Sequence, residues 1–173
     1  MSSLYFAYGS NMDERVMRAR CPSCRYLGAA RLDEHRLAFT RRSIQSGTGV
    51  ADVVPDPRSV VWGVLYELND SDLDALDRKE GHGWAYARER KHVTLATDGT
   101  GHDAITYTVL EKESTEVGPS HEYLDRLVSA ARHRALPSAY LAKLEALHPE
   151  PLDEEEGNGF DAPSGHRRGL HAG

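Results

Sequence analysis

The chain of 173 residues is the size of one domain, 39% hydrophobic and 28% charged, a balance ordinary for a globular protein and too apolar for a mostly disordered one. A formal net charge of −6 argues against partners such as nucleic acid or an anionic membrane surface, which call for clustered Lys and Arg, and leaves a small molecule as the expected partner. The opening stretch, residues 1–8, has no basic segment and only a short apolar run, so neither a secretion signal nor a membrane span is expected there, and the chain reads as a cytoplasmic protein.

Residues 4–8 form an aromatic, apolar run stopped by Gly9, which predicts a short buried strand ending in a tight turn. A helix over residues 12–18 follows, with Ser10 or Asn11 as its cap and Asp13 and Glu14 in its first turn, where the helix dipole favours carboxylates. Cys21 and Cys24 come after this helix instead of opening one, and no two further ligands stand at zinc-site spacing. They read as two reduced thiols, with no metal site.

Strands are expected over residues 26–30, 37–40 and 49–54, with Asp56-Pro57 marking a turn, and then over residues 60–68, the clearest strand of the chain. Asn69-Asp70-Ser71 caps a helix that buries Leu73 and Leu76 and stops at Glu80-Gly81, where glycine supplies a left-handed terminus. Residues 88–96 and 104–110 read as a hairpin about a turn-rich connection. Two closing helices follow, one carrying the stripe Tyr123, Leu124, Leu127, Val128 and Ala131, the other opened by Pro137-Ser138. Residues 1–151 make the domain, and the acidic, glycine-rich residues 152–173 are expected to be a disordered tail. The irregular order of strands and helices disfavours a doubly wound sheet or an eight-fold barrel, leaving an α+β fold: a small mixed sheet or barrel with flanking helices.

Two segments can carry chemistry. The turn Tyr8-Gly9-Ser10-Asn11 gathers backbone N–H groups and small polar side chains around one concavity able to hold an anion or a carbonyl oxygen; the same residues also suit a plain strand-to-helix connection. Glu80 sits before Gly81, His82, Gly83 and Trp84, so a carboxylate emerges from a helix end into a partly aromatic loop. Burial there would raise its pKa and suit it to general acid/base work, a contribution of about 10² to 10⁴ in rate. The alternative is a solvated helix-end acid, with Asp77 and Glu89 competing for the role and His82 the one histidine beside it. No HExxH, GxSxG or P-loop pattern occurs.

Taken in order, Tyr5-Phe6-Ala7-Tyr8-Gly9-Ser10-Asn11-Met12, Val61-Trp62-Gly63-Val64-Leu65-Tyr66 and Leu76-Asp77-Arg78-Lys79-Glu80-Gly81 closely resemble the γ-glutamylcyclotransferase-like family, with Tyr86, Tyr123 and Leu136-Pro137 as further landmarks over about residues 4–148. The resemblance implies a small barrel-like mixed sheet ringed by helices, and a pocket in which Tyr8, Gly9, Ser10 and Asn11 grip a γ-glutamyl group. It also implies Glu80 as acid/base, and release of 5-oxoproline and a free amine without metal or organic cofactor. Tyr86 and Tyr123 are candidates for orienting the glutamyl group. Hydrolysis to free glutamate and non-catalytic binding on the same fold are the alternatives. The chain departs from the family mainly after the glutamate, where residues 82–85, with the bulky Trp84, and residues 41–48 shape the entrance. The leaving amine and the oligomeric state are not legible in the sequence.

Overall fold

The computed structural model of the protein describes residues 2–149; the expected tail, residues 152–173, and the boundary at residue 151 lie outside them. Strand β1 (Ser2–Ala7) leads through a single 3-10 turn, Ser10–Met12, into helix α1 (Glu14–Arg20). Two long strands follow, β2 (Arg25–Arg42) and β3 (Gly49–Asn69), then helix α2 (Asp70–Glu80), strands β4 (Tyr86–Leu95) and β5 (Gly101–Val109), and helices α3 (His121–His133) and α4 (Ser138–Glu145). The strands close into a barrel in the order β1-β3-β2-β4-β5. Every neighbouring pair is antiparallel except β1 and β5, which run parallel and make the barrel mixed.

The barrel core follows from the apolar runs. Tyr5 to Tyr8 are all buried, as are Val61, Val64, Leu65 and Tyr66 of β3, a strand paired on both edges, with β1 and with β2. Gly63 lets these strands approach: a Cβ there would lie 2.2 Å from the carbonyl oxygen of Ala7 and 2.9 Å from the Phe6 ring. Leu76 of α2, Leu127 and Ala131 of α3 and Leu144 of α4 complete the core from outside the sheet.

Three expectations change. The strands read over residues 26–30 and 37–40 are the two ends of one 18-residue strand, and those over residues 49–54 and 60–68 belong to one of 21 residues. Asp56-Pro57 is not a chain reversal: β3 continues through it, and the β2–β3 register shifts between Asp33 paired to Val60 and His35 paired to Pro55. Asp56 still makes turn-like bonds, accepting from Arg58 N and Ser59 Oγ, while opposite it Glu34 takes a left-handed φ of 57°. Turn chemistry is thus used to bulge a long strand. The third change is at α1, which begins at Glu14 with Asp13 as its cap, accepting from Arg15 N at 2.9 Å. Neither Ser10 nor Asn11 caps it, because the intervening residues close a 3-10 turn through Met12 N to Gly9 O, and the Asn11 side chain turns inward.

The helix ends at α2 form as read. Asn69 accepts from Asp72 N at 2.8 Å, and Gly81 takes the left-handed conformation, φ 67° and ψ 48°. At the far side Arg134, just after α3, donates to the carbonyl of Met12 at 3.0 Å and to Tyr66 Oη at 3.1 Å, so the closing helices hold the turn that follows β1. Cys21 and Cys24 are buried free thiols; burial pushes the Cys21 thiol up to about 11. No helix among the described residues is long and apolar enough to cross a membrane.

Candidate active site

One cleft of about 630 Å³ is lined by the turn after β1, by residues 41–51 where β2 passes into β3, by the C-terminal end of α2 with the loop beyond it, by Tyr107 of β5 and by the start of α3. Tyr8, Gly9, Ser10, Asn11, Glu80, Tyr86 and Tyr123 all line it. The topology explains the meeting. Pairing of β1 with β3 brings the turn after Ala7 toward the level of Val64, and α2 leaves the other end of the same β3 and runs back along the barrel to end beside that turn.

Glu80 is fixed by two donors. Asn11 Nδ2 and Lys79 Nζ reach its Oε1 at 2.8 and 2.7 Å, and among the described residues no bond falls on Oε2. The Glu80 side chain is 14% exposed. The Asn11 amide, itself buried, also donates to Tyr5 Oη at 2.8 Å and accepts from Lys79 Nζ at 2.8 Å. A carboxylate with one anchored oxygen and one oxygen left over is suited to passing protons in a fixed direction.

The turn itself contributes backbone. Among the described residues, the N–H groups of Gly9 and Asn11 have no backbone acceptor. A Cβ on Gly9 would stand 3.2 Å from Tyr123 Oη, so the glycine admits that hydroxyl to the turn. Tyr123 Oη accepts from Ala51 N at 3.4 Å, and Tyr86 Oη donates to Ala51 O at 3.2 Å; the backbone of one residue of β3 thereby meets both phenols. Burial raises the Tyr123 phenol to about 12, partly offset by the Ala51 N–H, and burial raises Tyr86 further. Both are neutral hydroxyls near pH 7. Tyr8 has its hydroxyl committed elsewhere, donating to the Tyr107 carbonyl at 2.5 Å, so it serves the cleft as wall.

The competing acids are engaged outside the cleft. Asp77 pairs with Arg88 and accepts from Tyr107 Oη at 2.6 Å; burial pushes its carboxyl up, but the hydrogen bonds from Arg88 and Tyr107 prevail and hold it below its ordinary value. Glu89 accepts from Thr108 Oγ1 at 2.7 Å and pairs with Lys91 at 2.7 Å. His82 is exposed, with Nδ1 accepting from Arg88 N, and does not line the cleft.

Sequence reasoning missed Tyr5, Lys79 and Tyr107 as cleft residues. Tyr5 and Tyr107 read only as strand residues. Lys79 precedes Glu80 on a helix, where adjacent side chains diverge, so no spacing rule could have joined them. At the mouth Trp84, 64% exposed, packs against Gly81, and Arg41 lies 5.8 Å above the Trp84 ring. Among the described residues no group of three His, Cys, Asp or Glu side chains could hold a metal ion.

Comparison with known proteins identifies the family. The model of the AIG2-like family matches residues 60–144. Human gamma-glutamylcyclotransferase is 32% identical over 154 residues, covering 86% of this chain and 80% of that protein, and the bovine gamma-glutamylcyclotransferase is 33% identical over 155 residues with the same coverage. The solved structure of a gamma-glutamyl cyclotransferase superposes with a TM-score of 0.82 at 30% identity, over 88% of this chain and 92% of that one. The chain belongs to the gamma-glutamylcyclotransferase family.

Proposed function

We propose that the cleft converts a γ-glutamyl amide or peptide to 5-oxoproline and a free amine, with Glu80 as the general acid/base. The observation that carries this is the carboxylate of Glu80, anchored at Oε1 by Asn11 and Lys79 and lining the same cleft as the turn after β1. The substrate's α-amine attacks its own γ-carbonyl. A carbon–nitrogen bond closes a five-membered ring, and the bond to the leaving nitrogen then breaks. The α-ammonium loses two protons to become the lactam N–H, and the departing amine gains two, so the reaction needs a relay and no net proton. Glu80 Oε2 takes a proton from the attacking nitrogen and returns one to the leaving nitrogen.

No metal or organic cofactor is required by this chemistry, because nucleophile and electrophile belong to one molecule. Holding that molecule folded replaces an effective molarity on the order of 10⁵ M or more. The N–H groups of Gly9 and Asn11 are suited to an oxyanion or the α-carboxylate, and the Tyr86 and Tyr123 hydroxyls to orienting the glutamyl group. The leaving amine points past Trp84 and Arg41. We place the reaction in the cytoplasm, in keeping with the two free cysteines.

The test is to incubate the protein and a Glu80→Gln variant with γ-glutamyl amino acids, glutathione and γ-glutamyl alkylamides, following products by mass spectrometry. The reading predicts 5-oxoproline from the wild type and a loss of about 10² or more in the variant. Free glutamate as product would make the protein a hydrolase, and no turnover across the panel would favour a binding protein.

A further inference from the structure

We infer that Lys79 is a positioning residue that locks the Asn11 amide and, through it, presents Glu80 with one oxygen held and the other available; this rests on the reading of Glu80 as the acid/base. Asn11 offers an oxygen and an NH2 of nearly the same shape, so its side chain could sit either way round. Its Oδ1 faces Lys79 Nζ at 2.8 Å, while Nδ2 sends its two hydrogens to Tyr5 Oη and Glu80 Oε1, each at 2.8 Å. Reversed, the amide would set oxygen against the carboxylate and NH2 against the ammonium. An ammonium only donates and a carboxylate only accepts, so the pair admits one orientation. Tyr5 Oη can both donate and accept and would not decide it.

Lys79 also donates directly to Glu80 Oε1 at 2.7 Å, closing a ring of three side chains. An ordinary helix-end lysine would keep its ammonium in water, where a pair with a neighbouring glutamate contributes little. Here the Lys79 side chain is only 22% exposed, and adjacent helical side chains must bend toward each other to meet. Rotamer freedom is given up to bring both donors to one oxygen, and a flexible carboxylate becomes an oriented one. Lys79 acts on the reaction through Asn11 and Glu80, and the glutamyl group is bound by other residues.

The measurement is steady-state 5-oxoproline kinetics on the substrate that the wild type turns over best, comparing Lys79→Met, Lys79→Gln, Lys79→Arg, Glu80→Gln and the double variant Glu80→Gln with Lys79→Met, with thermal unfolding of each. Lys79→Met removes the donors, and Lys79→Gln can accept as well as donate and so releases the amide; either suffices if the other fails to fold. Both should lower kcat on the order of 10²-fold, the scale of a misplaced reacting group, with KM within about threefold. Lys79→Arg, which again only donates, should keep most of the rate, and Lys79→Met should cost nothing further once Glu80 is Gln. Unchanged kcat in Lys79→Met and Lys79→Gln, a raised KM at intact kcat, or losses that multiply in the double variant would each overturn the inference. A wild type that releases no 5-oxoproline from any γ-glutamyl amide would remove the acid/base reading itself, and shows before any Lys79 variant is made.

Discussion

Asp52 offers a sharp test of how the barrel holds its site. It is wholly buried in β3, accepting from Thr40 Oγ1 at 2.6 Å, Val53 N at 2.9 Å, Val109 N at 3.1 Å and Lys112 Nζ at 2.5 Å. In Asp52→Ala, Lys112 loses little, since its side chain is 40% exposed and its ammonium can turn to water. The Val109 N–H and the Thr40 hydroxyl stay buried without this acceptor, at about 1–3 kcal/mol each. Relief of the carboxylate's own desolvation returns part of that, leaving a net loss of about 2–4 kcal/mol. For a domain of this size that lowers Tm by about 4–16 °C. Because Ala51, the preceding residue, carries the contacts to Tyr86 and Tyr123, KM for the γ-glutamyl substrate should rise alongside. Thermal and urea unfolding measure the stability and substrate titration the KM. A stability loss below about 1 kcal/mol would refute the reasoning, by showing that water or rearranged backbone replaces these bonds at no cost.

Three further outcomes are expected. Gly81→Ala forces a left-handed alanine at about 1–2 kcal/mol and drives its Cβ to within 2.5 Å of the Trp84 ring; a lowered Tm with altered tryptophan fluorescence checks it, and unchanged fluorescence would contradict the packing. Cys21, pushed by burial to about 11, is about a thousandth thiolate at pH 8, so mass spectrometry should find it unlabelled by iodoacetamide in native protein and labelled in urea. For Asp77, held below its ordinary value by Arg88 and Tyr107 against the opposing effect of burial, the sign is that of a depressed carboxyl: its stabilisation is complete above the unfolded value of about 3.9 and is lost as pH falls through the lower folded value. The Tm gap between wild type and Asp77→Asn should therefore be constant from pH 5 to 7 and shrink below about pH 4.

The parts of the fold legible in the sequence are those whose cause is local. Asn69 and Gly81 bracket α2 by capping chemistry alone, and the run from Val60 to Leu68 is apolar because most of its side chains are buried. The length of β2 and β3 was hidden because their middle portions carry Asp33, Glu34 and Asp56-Pro57, residues that end strands unless a partner strand bulges with them. The same limit applies at the cleft. Glu80 and the turn after β1 announce themselves by type and position, whereas Lys79 and Tyr5 gain meaning only from Asn11, which lies 68 residues from Lys79. Asn11 itself, read as a cap, was displaced from that task by Asp13 two residues on.

Closure of the barrel through β1 and β5 has a consequence for how the protein is made. Phe6 O accepts from Thr106 Oγ1 and Tyr107 O from Tyr8 Oη, partners about a hundred residues apart. During synthesis at about 5–20 residues per second, β1 can find β3 first, but its second edge waits a further stretch of chain, about 5–20 s after β1 itself is made in all. Over that interval an aromatic strand stands with an open edge, the condition under which nascent chains pair wrongly with one another. Contacts of such long separation also form slowly. The turn that lines the cleft is continuous with that strand, so closing the barrel and assembling the cleft are coupled, and crowding of unfinished chains would cost both together.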